Sequence, residues 1–350
     1  MVTGNWNIQF ITDWDEIYSK SFQDQWLHYL ENAVNSHVFF HPALGMAWLK
    51  TYRALRNLAP LFCIALKDDS RIFLPLVFWK QNWKDAFRRV VVPVGYSDFD
   101  YHDPLDNRQI SGNEWASFYE SLADAIKLKV NYDAIEINGI RTEVTSKNWH
   151  KESDIAPFYD LTQFTDSENF LQSLKTSLRG DIRRQIRRIS ELGPLILHHY
   201  NTVDEALNIL PQFLKLHSDR WPGAYKAPGF HKNLIVYGLK SGIMHFTSLK
   251  SGDRTLSYHL GFTYSKTCYY YMPVIDPEYE NLSPGKVHLF KLVERAIAER
   301  NKIFDHLRGD ENYKEGWTNR VQSLYKFSYQ NISLTSKVRN EVHSIKEKIV

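Results

Sequence analysis

The chain has 350 residues, 43% of them apolar, a length and composition that suit two domains with cores of their own. A net charge of +3 excludes a strong global field for nucleic acid or membrane, and no run of about 18 apolar residues predicts a membrane span. The two cysteines, Cys63 and Cys268, lie far apart inside apolar runs and predict buried thiols instead of a disulfide or metal framework. With an N-terminus that lacks the basic start and apolar core of a signal peptide, they predict a cytoplasmic protein. Aromatics reach 14%, with 20 Tyr, 20 Phe and 10 Trp, which favours aromatic-rich sheets and grooves.

Residues 14–58 read as helical, with a turn near His41-Pro42. Residues 61–79 predict two strands around a polar turn from Lys67 to Ser70. Residues 88–105 hold a short β-branched strand and a loop, 114–129 have helical spacing, and 132–139 form a strand ending at Asn138-Gly139. The second half repeats this order. A strand at 157–161 precedes a helix over 168–192, which ends at Gly193-Pro194. A strand at 195–200 and a proline-interrupted helix over 203–221 follow. Residues 244–275 predict a meander around the Gly252-Asp253 turn, 287–301 a helix, and 302–307 a strand.

The halves share more than their order. Each has a hairpin with Leu-Lys, three residues and Arg: Leu66, Lys67, Arg71 and Leu249, Lys250, Arg254. Each reaches an Asp-Pro step, Asp103-Pro104 and Asp276-Pro277, then a helix and a strand with one acidic residue, Glu136 and Asp305. A duplicated fold is the reading adopted, with one large α/β domain as the alternative. The boundary is expected in the polar stretch 145–156. The expected domains are 1–150, 151–335 and a polar tail, 336–350.

Ser283-Pro284-Gly285 sits between the meander and the helix. A helix N-terminus leaves amides unpaired and is positive, so after a strand it binds phosphate. Ser283 is a natural cap, Pro284 suits a first turn, and Gly285 lets a ligand approach. An ordinary strand-to-helix turn is the plain alternative.

The residues LHSDRW (216–221), LKSGDRTLSYHLGF (249–262), CYYYMPVIDPEYENLSPGK (268–286) and FDHLRGDENYKEGW (304–317) form an ordered set with the arginine-rich helix 177–192. This set resembles the acyltransferase domain of the CelD-type family, named for a cellulose-biosynthesis protein, within the FemAB-like superfamily of GNAT-fold enzymes. The N-terminal half resembles it more weakly, through residues 38–49, 75–78 and 95–105. The resemblance implies an α/β (α+β) fold of two tandem GNAT-like halves, each a mixed, mostly antiparallel sheet flanked by helices. The first half is degenerate, because its loop from Asp103 to Gly112 lacks a compact phosphate turn.

It also implies acyl transfer from acyl-CoA, acetyl or longer, to an amine of a polar acceptor such as a sugar or envelope polysaccharide precursor. The donor would lie on the backbone of Ser283, Pro284, Gly285, Lys286 and Val287, with amides near Val274 and Ile275 stabilising the oxyanion. Asp305 is the leading base; a structural carboxylate paired with Arg308 or Lys314 is its alternative. His259 is a second base or a packed histidine. Tyr313 is a proton donor to the thiolate or an aromatic packed on Trp317. Arg183, Arg184 and Arg187 suit an anionic acceptor or the acceptor stem of a tRNA, or else form a solvated face. His217 and Trp221 share a helix face beside the acceptor groove, and Lys314 is a phosphate or carboxylate contact. His198-His199 has no third ligand, so no metal is expected. An aminoacyl-tRNA-dependent transferase and a non-catalytic scaffold are the competing functions; no DNA partner is expected.

Overall fold

The computed structural model describes residues 6–82, 87–144, 146–224 and 227–347. The extreme N-terminus and residues 348–350 of the expected tail lie outside the described residues. Two compact units form: 1–153 together with 323–350, and 154–322.

The first unit begins with β1 (Asn7–Ile11), α1 (Trp14–Tyr18), α2 (Lys20–Glu31) and α3 (Pro42–Leu55). Then come β2 (Leu58–Pro60), β3 (Phe62–Lys67), β4 (Ser70–Leu74), β5 (Leu76–Lys80), β6 (Arg89–Pro93), β7 (Leu105–Asp106), α4 (Gly112–Lys129) and β8 (Ala134–Ile140). The apolar run 61–79 makes three strands instead of two, because Pro75 has no N–H to continue a ladder. Strands β1-β3-β4-β7 form an antiparallel sheet. A second sheet joins β2, β5, β6 and β8, with β6 and β8 parallel across the α4 crossover. Phe22, Trp26, Phe62 and Phe73 pack as a ring cluster in the core.

Strand β9 (Trp149–Asp160) carries the chain into the second unit. There follow α5 (Ser167–Ser173), α6 (Thr176–Ser190), β10 (Leu195–His199), α7 (Val203–Arg220), α8 (Phe230–Lys240), β11 (Met244–Ser251), β12 (Arg254–Tyr264), β13 (Thr267–Ile275), α9 (Pro284–Ala298) and β14 (Ile303–Asp305). The expected helix 168–192 is two helices broken at Leu174-Lys175, whereas α7 runs unbroken through Pro211. The sheet order is β10-β11-β12-β13-β14-β9, antiparallel except for β13 and β14, which the α9 crossover makes parallel. Phe213 of α7 packs on Phe246 and Tyr258, while His288 of α9 bonds Thr247 and Ser257, so the two helices cover opposite sheet faces.

Strand β15 (Arg320–Gln330) returns to the first unit, where it pairs with β8. Helix α10 (Leu334–Glu347) follows. The expected boundary at 335 and polar tail 336–350 are therefore corrected. Ser336 Oγ donates to Asp133 at 2.6 Å and Arg88 Nε to Asn340 at 2.7 Å, and both partners of each pair are buried. A buried arginine and carboxylate need such partners, and α10 supplies them.

Candidate functional site

In the second unit a cleft of about 670 Å³ opens beside β13. Its walls come from the start of α6 (Lys175, Ser177, Leu178), the end of α7 (Arg220, Trp221) and β13 (Tyr270, Pro273, Val274, Ile275). Glu280, then Ser283, Gly285, Lys286 and Leu289 of α9, and the 3₁₀ turn Asn312–Trp317 complete it.

The cleft exists because β13 and β14 part. They pair only from Thr267↔Ile303 to Tyr269↔Asp305. Beyond that, Pro273 offers no N–H on β13 to extend a ladder. Asp276 N donates to Leu256 O at 2.9 Å, so the amide of Ile275, one residue earlier in an extended strand, points to the opposite edge.

The mouth is the α9 N-terminus. Ser283 occupies the cap position, but its backbone is left-handed (φ 47°, ψ 51°) and its side chain makes no capping bond. That corrects the expected cap: an αL residue turns its hydroxyl away from the first-turn amides. Pro284 is buried at the first helical position. Gly285 approaches the strand closely, since a Cβ there would lie 3.1 Å from Ile275 Cγ2. Val287 is buried against Ile189, Leu249 and Leu256, so only its amide belongs to the first turn. In the first unit the equivalent crossover helix α4 is closed by a capping box. Glu114 Oε2 accepts from Ser111 N at 2.8 Å, and Ser111 Oγ accepts from Glu114 N at 3.3 Å. One helix terminus is sealed by its own side chains; at the other no side chain caps, Pro284 has no N–H and Lys286 N donates to Ser283 O at 3.1 Å, which leaves the Gly285 amide for an anion. The open terminus, with Gly285 beside the parted strand, fits a diphosphate held at that amide.

The cations of the cleft are already matched. Lys286 pairs with Asp181, and this pairing first, then the Coulomb pull of the same lysine, holds the Asp181 carboxyl below its usual range against the cost of burial. Arg184 shares Asp181 at 2.5 Å. Lys175 lies 3.3 Å from Glu315, and Arg220 3.5 Å from Glu280. Lys286 is thus half of an ion pair instead of a free phosphate contact.

Several expected site residues lie elsewhere. Asp305 is buried at the end of β14 and accepts from Leu307 N at 2.8 Å, holding a left-handed turn at Leu307 (φ 61°). His259 is buried under α9 and is not among the cleft residues. Lys314 is 3% exposed and binds the carbonyls of Leu307, Arg308 and Gly309 at 2.9–3.4 Å, with Glu311 at 2.7 Å, so it clips the loop after β14. Arg183 pairs with Glu168 on the exposed face of α6, and Arg187 is exposed on the same helix. His217 packs between Phe213 and Trp221. Of the expected pair only Trp221 lines the cleft, with Arg220 over its ring.

Tyr313 does line the cleft. The residue is 45% exposed; desolvation of the phenol and the Glu311 carboxylate both raise its pKa, so it is protonated at neutral pH. Sequence reasoning missed Tyr270, Glu280, Glu315 and Asn312. Tyr270 stood within CYYYM, where strand alternation was the available signal. Among the described residues no group of three or more His, Cys, Asp or Glu is arranged to hold a metal, and no helix is long and apolar enough to cross a membrane.

Residues 176–315 match a family model described as an acetyltransferase (GNAT) domain. No curated protein matches the chain in sequence. The fold is similar to that of FemX (TM-score 0.62, 11% identity, covering 96% of this chain and 100% of that one). It is also similar to L-PGS from Bacillus licheniformis (0.55, 12%, 94% and 97%). A third likeness is a tandem GNAT protein from the clavulanic acid biosynthesis pathway (0.51, 9%, 93% and 98%). The chain is therefore a mixed α/β protein of two tandem GNAT-like units, and the cleft lies in the unit with the acetyltransferase-like segment.

Proposed function

We propose that the second unit is an N-acyltransferase of the CelD type, working in the cytoplasm. It moves an acyl group from acyl-coenzyme A to an amine of a polar acceptor, such as a sugar or envelope polysaccharide precursor. The observation that carries this reading is the contrast between the two crossover helices: α4 is closed by Ser111 and Glu114, whereas α9 opens unsealed onto a cleft.

The Gly285 amide at the start of α9 would hold the donor diphosphate, with no side chain there to crowd it. The amide of Ile275, on the parted edge of β13 beside Gly285, would bond the donor's arm close to its diphosphate, so the thioester would lie farther along β13, toward Tyr270 and Tyr313. The amine nitrogen bonds to the acyl carbon as the carbon–sulfur bond breaks. The amine loses one proton, and the departing thiolate takes one from Tyr313. Glu280 and Glu315 are the carboxylates in the cleft, so the amine proton leaves toward them or to water at its mouth. Arg187, exposed on α6, remains a candidate contact for an anionic acceptor.

A second reading is an aminoacyl-tRNA-dependent transferase, for which the fold shared with FemX and L-PGS speaks. The arginine helix supports it less than its sequence promised, because Arg183 and Arg184 are engaged by Glu168 and Asp181. Isothermal titration separates the readings. Coenzyme A is expected to bind the protein, with aminoacyl-tRNA analogues silent; the reverse result selects the second reading. Gly285→Asp places a carboxylate against that amide, where it suits the helix dipole. It should weaken coenzyme A binding by more than about tenfold and leave the fold intact, the crowding of its Cβ at 3.1 Å from Ile275 Cγ2 opposing the gain from the dipole, and unchanged affinity would remove the site from Gly285.

A further inference from the structure

The cleft is lined along β13 by Ile275, Val274, Pro273 and Tyr270, with Tyr313 6.5 Å from the Tyr270 ring. Past Tyr269 the strand no longer pairs with β14, and the gap is filled with rings. Tyr270 stacks on the His259 imidazole, with centroids 4.5 Å apart and planes 12° from parallel. It meets His306 at 5.9 Å and Phe304 at 6.0 Å. The imidazole in turn lies over Gly261, where a Cβ would come within 2.3 Å of His259 Cε1. Among the described residues neither nitrogen of His259 has a hydrogen-bond partner, and burial holds the ring neutral. The ring thus acts as a flat backing for the tyrosine.

Next to this stack lies a small recess of about 30 Å³, with His259, Cys268, Leu292 and Phe304 on one side and the paired Arg295 and Glu299 on the other. That is room for about one water molecule. Tyr270 borders the cleft and His259 borders the recess, so the stacked pair divides them.

We propose that Tyr270, positioned by His259, sets the length of the transferred acyl group by plugging the passage from the cleft to this recess. The inference rests on the acyl-coenzyme A reading above. A donor held by its diphosphate at Gly285 extends along β13 and ends against the Tyr270 ring. A short acyl group, acetyl or propanoyl, fits before the ring, and a longer one collides with it.

Calorimetric titration with coenzyme A and its acetyl, butanoyl, hexanoyl and octanoyl thioesters tests this. The wild type should bind the hexanoyl thioester at least about tenfold more weakly than the acetyl one. Tyr270→Ala should erase or reverse that ratio, since each methylene newly accommodated contributes about fourfold. Its affinity for coenzyme A itself should stay within about twofold. Tyr270→Phe should keep the wild-type order. His259→Ala should shift it toward that of Tyr270→Ala, and His259→Phe should restore it, a rescue that a merely structural histidine would not give. If Tyr270→Ala does not fold, Tyr270→Leu serves in its place with an intermediate shift. Octanoyl binding equal to acetyl binding in the wild type overturns the plug, as does an unchanged order in the Tyr270 variants; either can occur with coenzyme A still bound. Failure of coenzyme A itself to bind removes the donor reading and the plug together.

Discussion

Tyr313 is where a single group carries most of the proposed chemistry. Its ring lines the cleft at a position that is 45% exposed, with the Glu311 carboxylate nearby. A phenol is protonated at neutral pH and so has a proton to give a departing thiolate, and its place in the cleft, not a shifted pKa, is what suits the role. Tyr313→Phe retains the ring and removes the proton. It should lower kcat by about a hundredfold and leave the donor KM within about twofold, because the loss falls on the transition state alone. Steady-state kinetics reads this directly, and an unchanged kcat would make Tyr313 an aromatic wall. The same scale shows what residue type does not reveal. Asp305 and Lys314 read as chemistry because a carboxylate in an apolar strand and a lysine near a glycine turn are both expensive without purpose. Their purpose is local: one holds the amide of Leu307, the other gathers carbonyls that the turns at Leu307 and Gly309 direct inward. Nothing in the order of residues tells where those carbonyls point.

Crossover helices decide which unit can bind an anion. α4 and α9 each link two parallel strands, and each begins after a serine at the cap position. The serines differ in backbone. Ser111 is extended and caps; Ser283 is left-handed and does not. The left-handed form costs a non-glycine residue roughly 1–2 kcal/mol, while glycine loses about 0.4–1 kcal/mol through its freer unfolded chain. Ser283→Gly should therefore stabilise the second unit by about 0.5 kcal/mol. Ser111→Ala should destabilise the first by about 1 kcal/mol through the lost cap. Urea denaturation followed by a probe in each unit measures both, and a loss of stability in Ser283→Gly would mean that the hydroxyl does cap. This element was legible in part. The Pro-Gly step announced the helix start and the open turn, and the meander, α9 and β14 fall where periodicity put them. α8, β15 and α10 were not read. Residues 325–330 alternate aromatic and polar positions, Tyr325, Phe327 and Tyr329 against Lys326, Ser328 and Gln330, yet their partner β8 lies some 190 residues earlier, so no local signal names the pairing.

Among the described residues, His37, His41, His245, His259, His288 and His306 are held neutral chiefly by desolvation, and they divide unevenly. His37 and His41 of the first unit are lowered to about 3 and about 4, chiefly by burial. The second unit holds His245 at about 4, His288 and His306 at about 3, and His259 well below the usual range, again chiefly by burial. The unfolded chain takes up protons at these sites near pH 6.5, and the folded chain takes them up only below about 4. Between those limits the unfolded state binds more protons, so each site favours unfolding as pH falls, by about 1.4 kcal/mol per unit. Stability should be full above pH 7 and decline from about pH 6.5 downward, with His245, His259, His288 and His306 acting on the second unit, joined more weakly by His198 and His199, and His37 and His41 on the first. Amide exchange at pH 7.5 and pH 5 resolves the units, with α9 reporting on one and β3 and β4 on the other. Protection in α9 should fall more than in β3 and β4, because His245, His259 and His288 lie under α9, in contact with its residues or lining the recess beside it. Equal protection at both pH values in α9 would mean that the fold does not hold these imidazoles neutral.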